Sequence, residues 1–93
     1  MRTSAVKSGK RVSFELVAES GSDVFVAGTF NQWNPRQHAM RDNPDSGVYR
    51  ATLVLPPGRH EYKFIVNGEW RVDPNCPDRT PNDLGSLNSV ITV

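Results

Sequence analysis

Gly58-Arg59-His60-Glu61-Tyr62-Lys63-Phe64-Ile65-Val66-Asn67-Gly68-Glu69-Trp70, residues 58–70, decides how this chain folds. From Arg59 to Val66 the residues alternate, with His60, Tyr62, Phe64 and Val66 on one side and Glu61, Lys63 and Ile65 on the other. A period of two marks an extended strand with one face on a core. Asn67-Gly68 follows, and a two-residue type I′ turn, which needs positive φ at both central positions, is the connection that Asn-Gly favours. The chain is expected to turn back there, with Glu69 to Val72 as the returning strand. The turn sets the register: Val66 faces Glu69, Ile65 faces Trp70, Phe64 faces Arg71 and Lys63 faces Val72. Directly opposed residues share a face, so Lys63, Ile65 and Trp70 are expected on the outer face and Tyr62, Phe64 and Val66 on the core face. A slip of one residue would exchange the faces, and the Asn-Gly turn opposes such a slip.

Working outward, Val48 to Leu55 alternates with Tyr49, Ala51, Leu53 and Leu55 on one face, and Pro56-Pro57-Gly58 is a hard turn. Arg11 to Ala18 alternates with Val12, Phe14 and Leu16 on one face. Asp23 to Phe30 reads as a strand whose run Val24-Phe25-Val26-Ala27 suggests cover on both sides. Gln37 to Arg41 reads as a short strand between an Asn31–Arg36 loop and an Asp42–Gly47 turn cluster. Asp73 to Gly85 reads as a long loop with three prolines, and Leu87 to Val93 as the last strand, with Asn88 pointing away from the face of Leu87, Ser89, Ile91 and Val93. About seven short antiparallel strands at near-regular spacing, with no helical period, predict an all-β immunoglobulin-like sandwich. Residues 1–10, rich in Ser, Lys and Gly, read as a flexible N-terminal arm, and residues 11–93 as one domain.

The bulk properties narrow the function. A chain of 93 residues is expected to form one domain burying roughly two-thirds of its unfolded surface. Eleven basic and ten acidic residues give a formal net charge of +1, which makes no electrostatic case for nucleic acid or an anionic membrane. Cys76 is the only cysteine, so no intrachain disulfide can form, and an antibody-type domain is excluded. No segment approaches the roughly 20 apolar residues of a membrane span, and Met1 to Lys10 lacks the apolar segment of a secretory signal. The expectation is a soluble, cytoplasmic protein. His38 and His60 have no metal-ligand spacing, and Asp42, Asp45, Asp73, Asp78 and Asp83 fall among turn residues. Glycoside hydrolysis needs two carboxyl groups across a scissile bond, and no phosphate loop or nucleophile elbow is present. Neither catalysis nor a metal or cofactor is expected.

The two tryptophans carry the functional signal. Trp33 lies in Gly28-Thr29-Phe30-Asn31-Gln32-Trp33-Asn34-Pro35 and Trp70 just after Asn67-Gly68, both in polar company. A flat apolar face among hydrogen-bonding residues suits a partner that is itself part apolar and part hydroxylated, as a sugar ring is. Lys63, expected beside Trp70, would bring donors to the ring's hydroxyls. The plainer readings are Trp70 packed on a neighbouring loop, Trp33 folded over the core as a lid, and Lys63 as a solvated face residue. Exposed aromatics also anchor protein interfaces, so an interaction or scaffold module using the same face is the alternative.

Val24-Phe25-Val26-Ala27-Gly28-Thr29-Phe30-Asn31-Gln32-Trp33, the 58–70 stretch, Asp73-Pro74 and Leu84-Gly85-Ser86-Leu87-Asn88, taken in order, resemble carbohydrate-binding module family 48 over residues 11 to 93. That family includes the glycogen-binding domain of AMP-activated protein kinase beta subunits and the N-terminal modules of branching enzymes and isoamylases. The resemblance implies an early-set immunoglobulin-like sandwich that binds α-1,4-linked glucans such as glycogen, starch and maltooligosaccharides. By the same resemblance, Trp33 and Trp70 are the stacking platforms and Lys63 a hydroxyl donor. Leu84 lies against the glucan ring, and Asn88 is the amide that binds hydroxyls. Ser86 stands where the kinase-type domains usually have threonine, which keeps the hydroxyl. The implied partners are an α-glucan and a glycogen-metabolising enzyme or kinase complex. The site is expected to be largely preformed, with the Pro-rich 73–85 segment as its mobile edge.

Overall fold

A computed structural model describes residues 9–42, 46–82 and 84–93. The arm read over residues 1–10 therefore lies, as far as residue 8, outside the described residues, as do Asp45 and Asp83. Among the described residues eight strands form: β1 (Lys10–Val17), β2 (Val24–Gly28), β3 (His38–Asp42), β4 (Val48–Leu55), β5 (Arg59–Val66), β6 (Glu69–Arg71), β7 (Arg79–Pro81) and β8 (Leu87–Thr92), with one 3-10 turn at Thr29–Asn31. All pairings are antiparallel. Hydrogen bonding runs in the order β1-β4-β3-β2-β5-β8-β7, with β6 also on β5. β3 makes the corner of the sandwich: Met40 pairs with Val24 of β2, while Arg41, the next residue, pairs with Arg50 of β4.

The core joins inward residues that the alternation selects on β1, β4 and β5 with Val24 and Val26 from the continuous run and Met40 of β3. Phe14 and Leu16 of β1 and Tyr49 and Leu55 of β4 meet Val24, Val26, Met40, Tyr62, Phe64 and Val66, all buried. The Phe14 and Tyr62 rings cross between the layers at 4.8 Å in an edge-on arrangement, a geometry the aromatic quadrupole favours. Phe30 closes one end, packing near Phe14, His38 and His60. His60 is buried, and its Nε2 is 2.8 Å from the Pro56 carbonyl oxygen, so it serves the core rim.

The Asn67-Gly68 hairpin is found in the expected register, with Phe64, Ile65 and Val66 opposite Arg71, Trp70 and Glu69, but β6 ends at Arg71 and the expected pairing of Lys63 with Val72 is not made. Asn67 and Gly68 have φ of 50° and 84°, the two positive values of a type I′ turn. The turn is tied to the rest of the sheet, because Asn67 N donates to the Asp23 carbonyl at 2.8 Å and Asn67 Oδ1 accepts from Asp23 N at 2.9 Å.

The 73–85 segment departs from its reading as a loop throughout. It contains β7, whose Arg79, Thr80 and Pro81 pair with Ser89, Asn88 and Leu87. Arg-Thr-Pro has no apolar alternation, so pairing with β8 rather than local pattern makes the strand. Proline is tolerated because β7 is an edge. Upstream, the Tyr62 hydroxyl donates to Asp73 Oδ2 at 2.6 Å, Asp73 N donates to Ser89 Oγ at 2.8 Å, and Val90 N donates to the Asp78 carbonyl at 2.9 Å. Cys76, half-buried, points its Sγ at the Val90 carbonyl at 3.2 Å.

Burial first, and then the hydrogen bond to Asp73, push the Tyr62 phenol far above its ordinary pKa of 10.0. The folded chain therefore keeps a proton that the unfolded chain releases near pH 10. This contribution is fully present below that pH, and stability falls as pH rises beyond it, by about 1.4 kcal/mol per pH unit for one such group. Ultraviolet titration of the two tyrosines should show the Tyr62 phenolate appearing only together with alkaline unfolding followed by circular dichroism. Ionisation of Tyr62 in the folded protein near pH 10 would contradict this.

Candidate functional site

The site is built on the outer face of the β2-β5-β8 layer. β5 gives one side to β2 and shares the other between two strands: Phe64–Val66 pair with β6, and Arg59–Tyr62 pair with β8. Lys63 falls at the junction, where neither partner's ladder reaches it. On β2 it faces Ala27, which is fully buried. An open cleft of about 720 Å³, lined in part by Lys63, lies on this face, a size within the usual range for small-ligand sites.

Trp33 is brought to the cleft by a strained turn. In the 3-10 turn, Asn31 is 2 % exposed; its Oδ1 accepts from Gly28 N at 3.0 Å and its Nδ2 donates to the Val26 carbonyl at 3.3 Å. Trp33 N then donates to the Gly28 carbonyl at 2.9 Å. Gln32 and Trp33 both lie in the left-handed region, with φ of 54° and 59°. That conformation costs an L residue roughly 1–2 kcal/mol. The two buried Asn31 hydrogen bonds and the Trp33 amide bond hold the turn against it. Gly28 is required by close approach rather than by its φ of −170°. A Cβ there would lie 2.6 Å from Phe30 Cε2 and collide with the Glu61 carbonyl oxygen. Gly28→Ala is therefore expected to lower stability by about 2 kcal/mol, the usual penalty for overpacking. A urea midpoint shift with unchanged slope would register it, whereas an unchanged midpoint would contradict the contact.

Trp70 comes from β6, opposite Ile65, and is 44 % exposed. The Trp33 and Trp70 ring centres are 6.5 Å apart with the planes inclined at 46°. Trp33 is half-buried and lies beside Trp70; the aromatic that packs on the core at this end is Phe30. The lid reading of Trp33 thus does not describe the structure.

Trp33, Lys63, Trp70, Leu84, Ser86 and Asn88, the six residues singled out in the sequence, all line this one cleft. Lys63 is not the solvated face residue of the plain reading. It is 8 % exposed, and its Nζ donates to Ser86 Oγ at 2.9 Å. Asn88 is also deep, at 5 % exposure, while Leu84 stands at the margin at 91 %. Asn88 lies on the face opposite Ser89 and Ile91, as the alternation implies, but Leu87, at the strand start, is 43 % exposed rather than inward.

Thr29, Glu61, Pro81 and Asn82 also line the cleft and were not selected from the sequence. Glu61 could have been found, since the alternation that places Lys63 on the outer face places Glu61 there too. Its carboxylate accepts from Asn88 Nδ2 at 2.9 Å and pairs with Arg59 at 2.9 Å. Asn82 carried no periodic signal. Thr29 belongs to the turn, and its Oγ1 accepts from Glu61 N at 3.3 Å. The cleft therefore combines two indole faces and an exposed leucine with ammonium, carboxylate, amide and hydroxyl groups. Such a surface can stack on a flat apolar ring face and hydrogen-bond around its edge.

These features define an immunoglobulin-like β-sandwich module with an aromatic-walled, polar-floored cleft on one sheet. The family profile described as the glycogen recognition site of AMP-activated protein kinase matches residues 12–93, and the chain belongs to that family. Among its relatives, the mouse 5'-AMP-activated protein kinase subunit beta-2 is 40 % identical over 76 residues, covering 82 % of this chain and 27 % of that subunit. The pig subunit beta-1 is 38 % identical over 73 residues, covering 78 % of this chain and 56 % of that sequence. The chain thus spans about a quarter of the length of the beta-2 subunit it matches.

Proposed function

We propose that the cleft binds α-1,4-linked glucans such as glycogen, starch and maltooligosaccharides without acting on them chemically. By doing so the domain would target or regulate a glucan-active enzyme or a kinase complex in the cytoplasm. The observation that carries this reading is the pair of inclined indoles 6.5 Å apart beside Lys63 and Asn88. Inclined platforms suit a curved α-glucan, whose successive rings present their faces at changing angles. Lys63 holds three N–H donors, one of them used by Ser86, and donates naturally to sugar hydroxyls. In this reading Trp33 and Trp70 stack, Leu84 supports a ring from the opposite margin, and Lys63, Ser86 and Asn88 bind hydroxyls. An open cleft encloses little of its ligand, so affinity for a short oligosaccharide is expected in the range of about 10 µM to 1 mM.

Retention on immobilised glycogen or amylopectin tests the reading. Elution of the 93-residue chain by free maltoheptaose is the expected result. Passage through both matrices without delay would count against glucan binding and leave the aromatic face as an anchor for a protein partner.

A further inference from the structure

Three side chains that line the cleft form one hydrogen-bonded row. Glu61 Oε1 accepts from Asn88 Nδ2 at 2.9 Å, and Asn88 Oδ1 accepts from Asn82 Nδ2 at 3.0 Å. Asn82 Oδ1 in turn accepts from two backbone amides, Leu84 N at 2.9 Å and Ser86 N at 3.1 Å. The direction of the row is fixed at both ends. A carboxylate can only accept and a backbone N–H can only donate, so reversing either amide would set like groups against each other. Two backbone bonds reinforce the bend: Asn82 N donates to the Ser86 carbonyl at 2.9 Å, and Gly85 N donates to the Asn82 carbonyl at 3.3 Å. Gly85 provides the left-handed residue, with φ of 77°.

Leu84, at 91 % exposure, has almost no packing to hold it. An apolar side chain left in solvent would normally have a wandering backbone, and an unfixed one would lose ordering entropy on meeting a ligand. We propose that Asn82 is the positioning residue of the cleft. Its carboxamide oxygen holds the Leu84 and Ser86 backbone in place, so that Leu84 is presented before any ligand arrives. The Glu61–Asn88 pair orients Asn82 for that task. The inference rests on the glucan reading for its effect on affinity, but the positioning itself can be read without a glucan.

The test uses the full chain, with Asn82→Ala, Asn82→Asp, Leu84→Ala and the double variant Asn82→Ala/Leu84→Ala, followed by amide hydrogen exchange and by maltoheptaose titration. Asn82→Ala should lose protection at the Leu84 and Ser86 amides and weaken binding roughly tenfold, the scale of one or two lost hydrogen bonds. Asp keeps an oxygen for both amides but sets its second oxygen against Asn88 Oδ1, so Asn82→Asp should regain the protection at Leu84 and Ser86 while recovering only part of the affinity. If Asn82 acts in part through Leu84, that part of its loss should vanish in the Leu84→Ala background, so the double variant should bind better than the product of the two single losses would give. Unchanged amide protection in Asn82→Ala, or losses that simply multiply in the double variant, would overturn the proposal. A native chain that binds no maltoheptaose would sink the glucan reading instead, and the exchange data alone would then decide whether Asn82 holds Leu84.

Discussion

Trp70→Ala is expected to weaken maltoheptaose binding by about a hundredfold, the scale of an aromatic hot spot, while the fold stays intact. Two features separate the effects. Trp70 is 44 % exposed and lies in the three-residue strand β6, outside the core of Phe14, Tyr62, Phe64 and their neighbours. Its removal therefore opens no cavity in the sandwich. For a ligand the loss is double, because one stacking face disappears and Trp33 loses the ring lying 6.5 Å away. Titration against maltoheptaose, paired with thermal unfolding of the same variant, checks both halves. A variant that binds as tightly as the native chain would contradict the stacking role, and one that unfolds would contradict the peripheral placement.

Lys63→Met should lower affinity by about ten- to a hundredfold, the range for losing hydrogen bonds from a charged donor, with stability unchanged or slightly raised. The reasoning starts from burial. Lys63 is 8 % exposed at the junction where β6 and β8 divide the edge of β5. Bringing an ammonium group to such a position costs solvation, and a buried charge is often replaceable by an apolar residue of similar volume without loss. Methionine keeps most of the length and volume of the stem. The Ser86 hydroxyl loses its 2.9 Å partner, yet Ser86 is exposed and water can replace it. The substitution thus removes the donor and little else. Denaturant titration should show stability maintained, and maltoheptaose titration should show the loss. A destabilised protein would mean that Lys63 is chiefly a structural residue.

These expectations depend on how much of the molecule its sequence discloses. The alternation from Arg59 to Val66 and the Asn67-Gly68 turn were enough to place Trp70 opposite Ile65, because both are local signals. The polar company of Trp33 marked it from the residues alone, and the resemblance then supplied Leu84, Ser86 and Asn88; all four share one cleft with Lys63 and Trp70. Three features were not legible. The burial of Lys63 depends on two strands dividing one edge of β5, a relation between segments far apart in the chain. Strand β7 exists by pairing with β8, since Arg79-Thr80-Pro81 has no strand pattern of its own. Asn31 reads as an ordinary loop residue, yet its buried carboxamide bonds Gly28 and Val26 and so aims Trp33. In each case a long-range or buried polar contact overrides the local pattern.

The most direct measurement is a tryptophan-fluorescence titration of the native chain with maltoheptaose, run beside a β-1,4-linked glucose oligomer of similar length. Both tryptophans line the cleft, so occupation should alter the emission. The expected result is a saturable change with maltoheptaose, with a Kd between about 10 µM and 1 mM, and none with the β-linked oligomer. Emission that stays constant with maltoheptaose up to about 10 mM, well beyond that range, would contradict the assignment of the cleft to α-glucans.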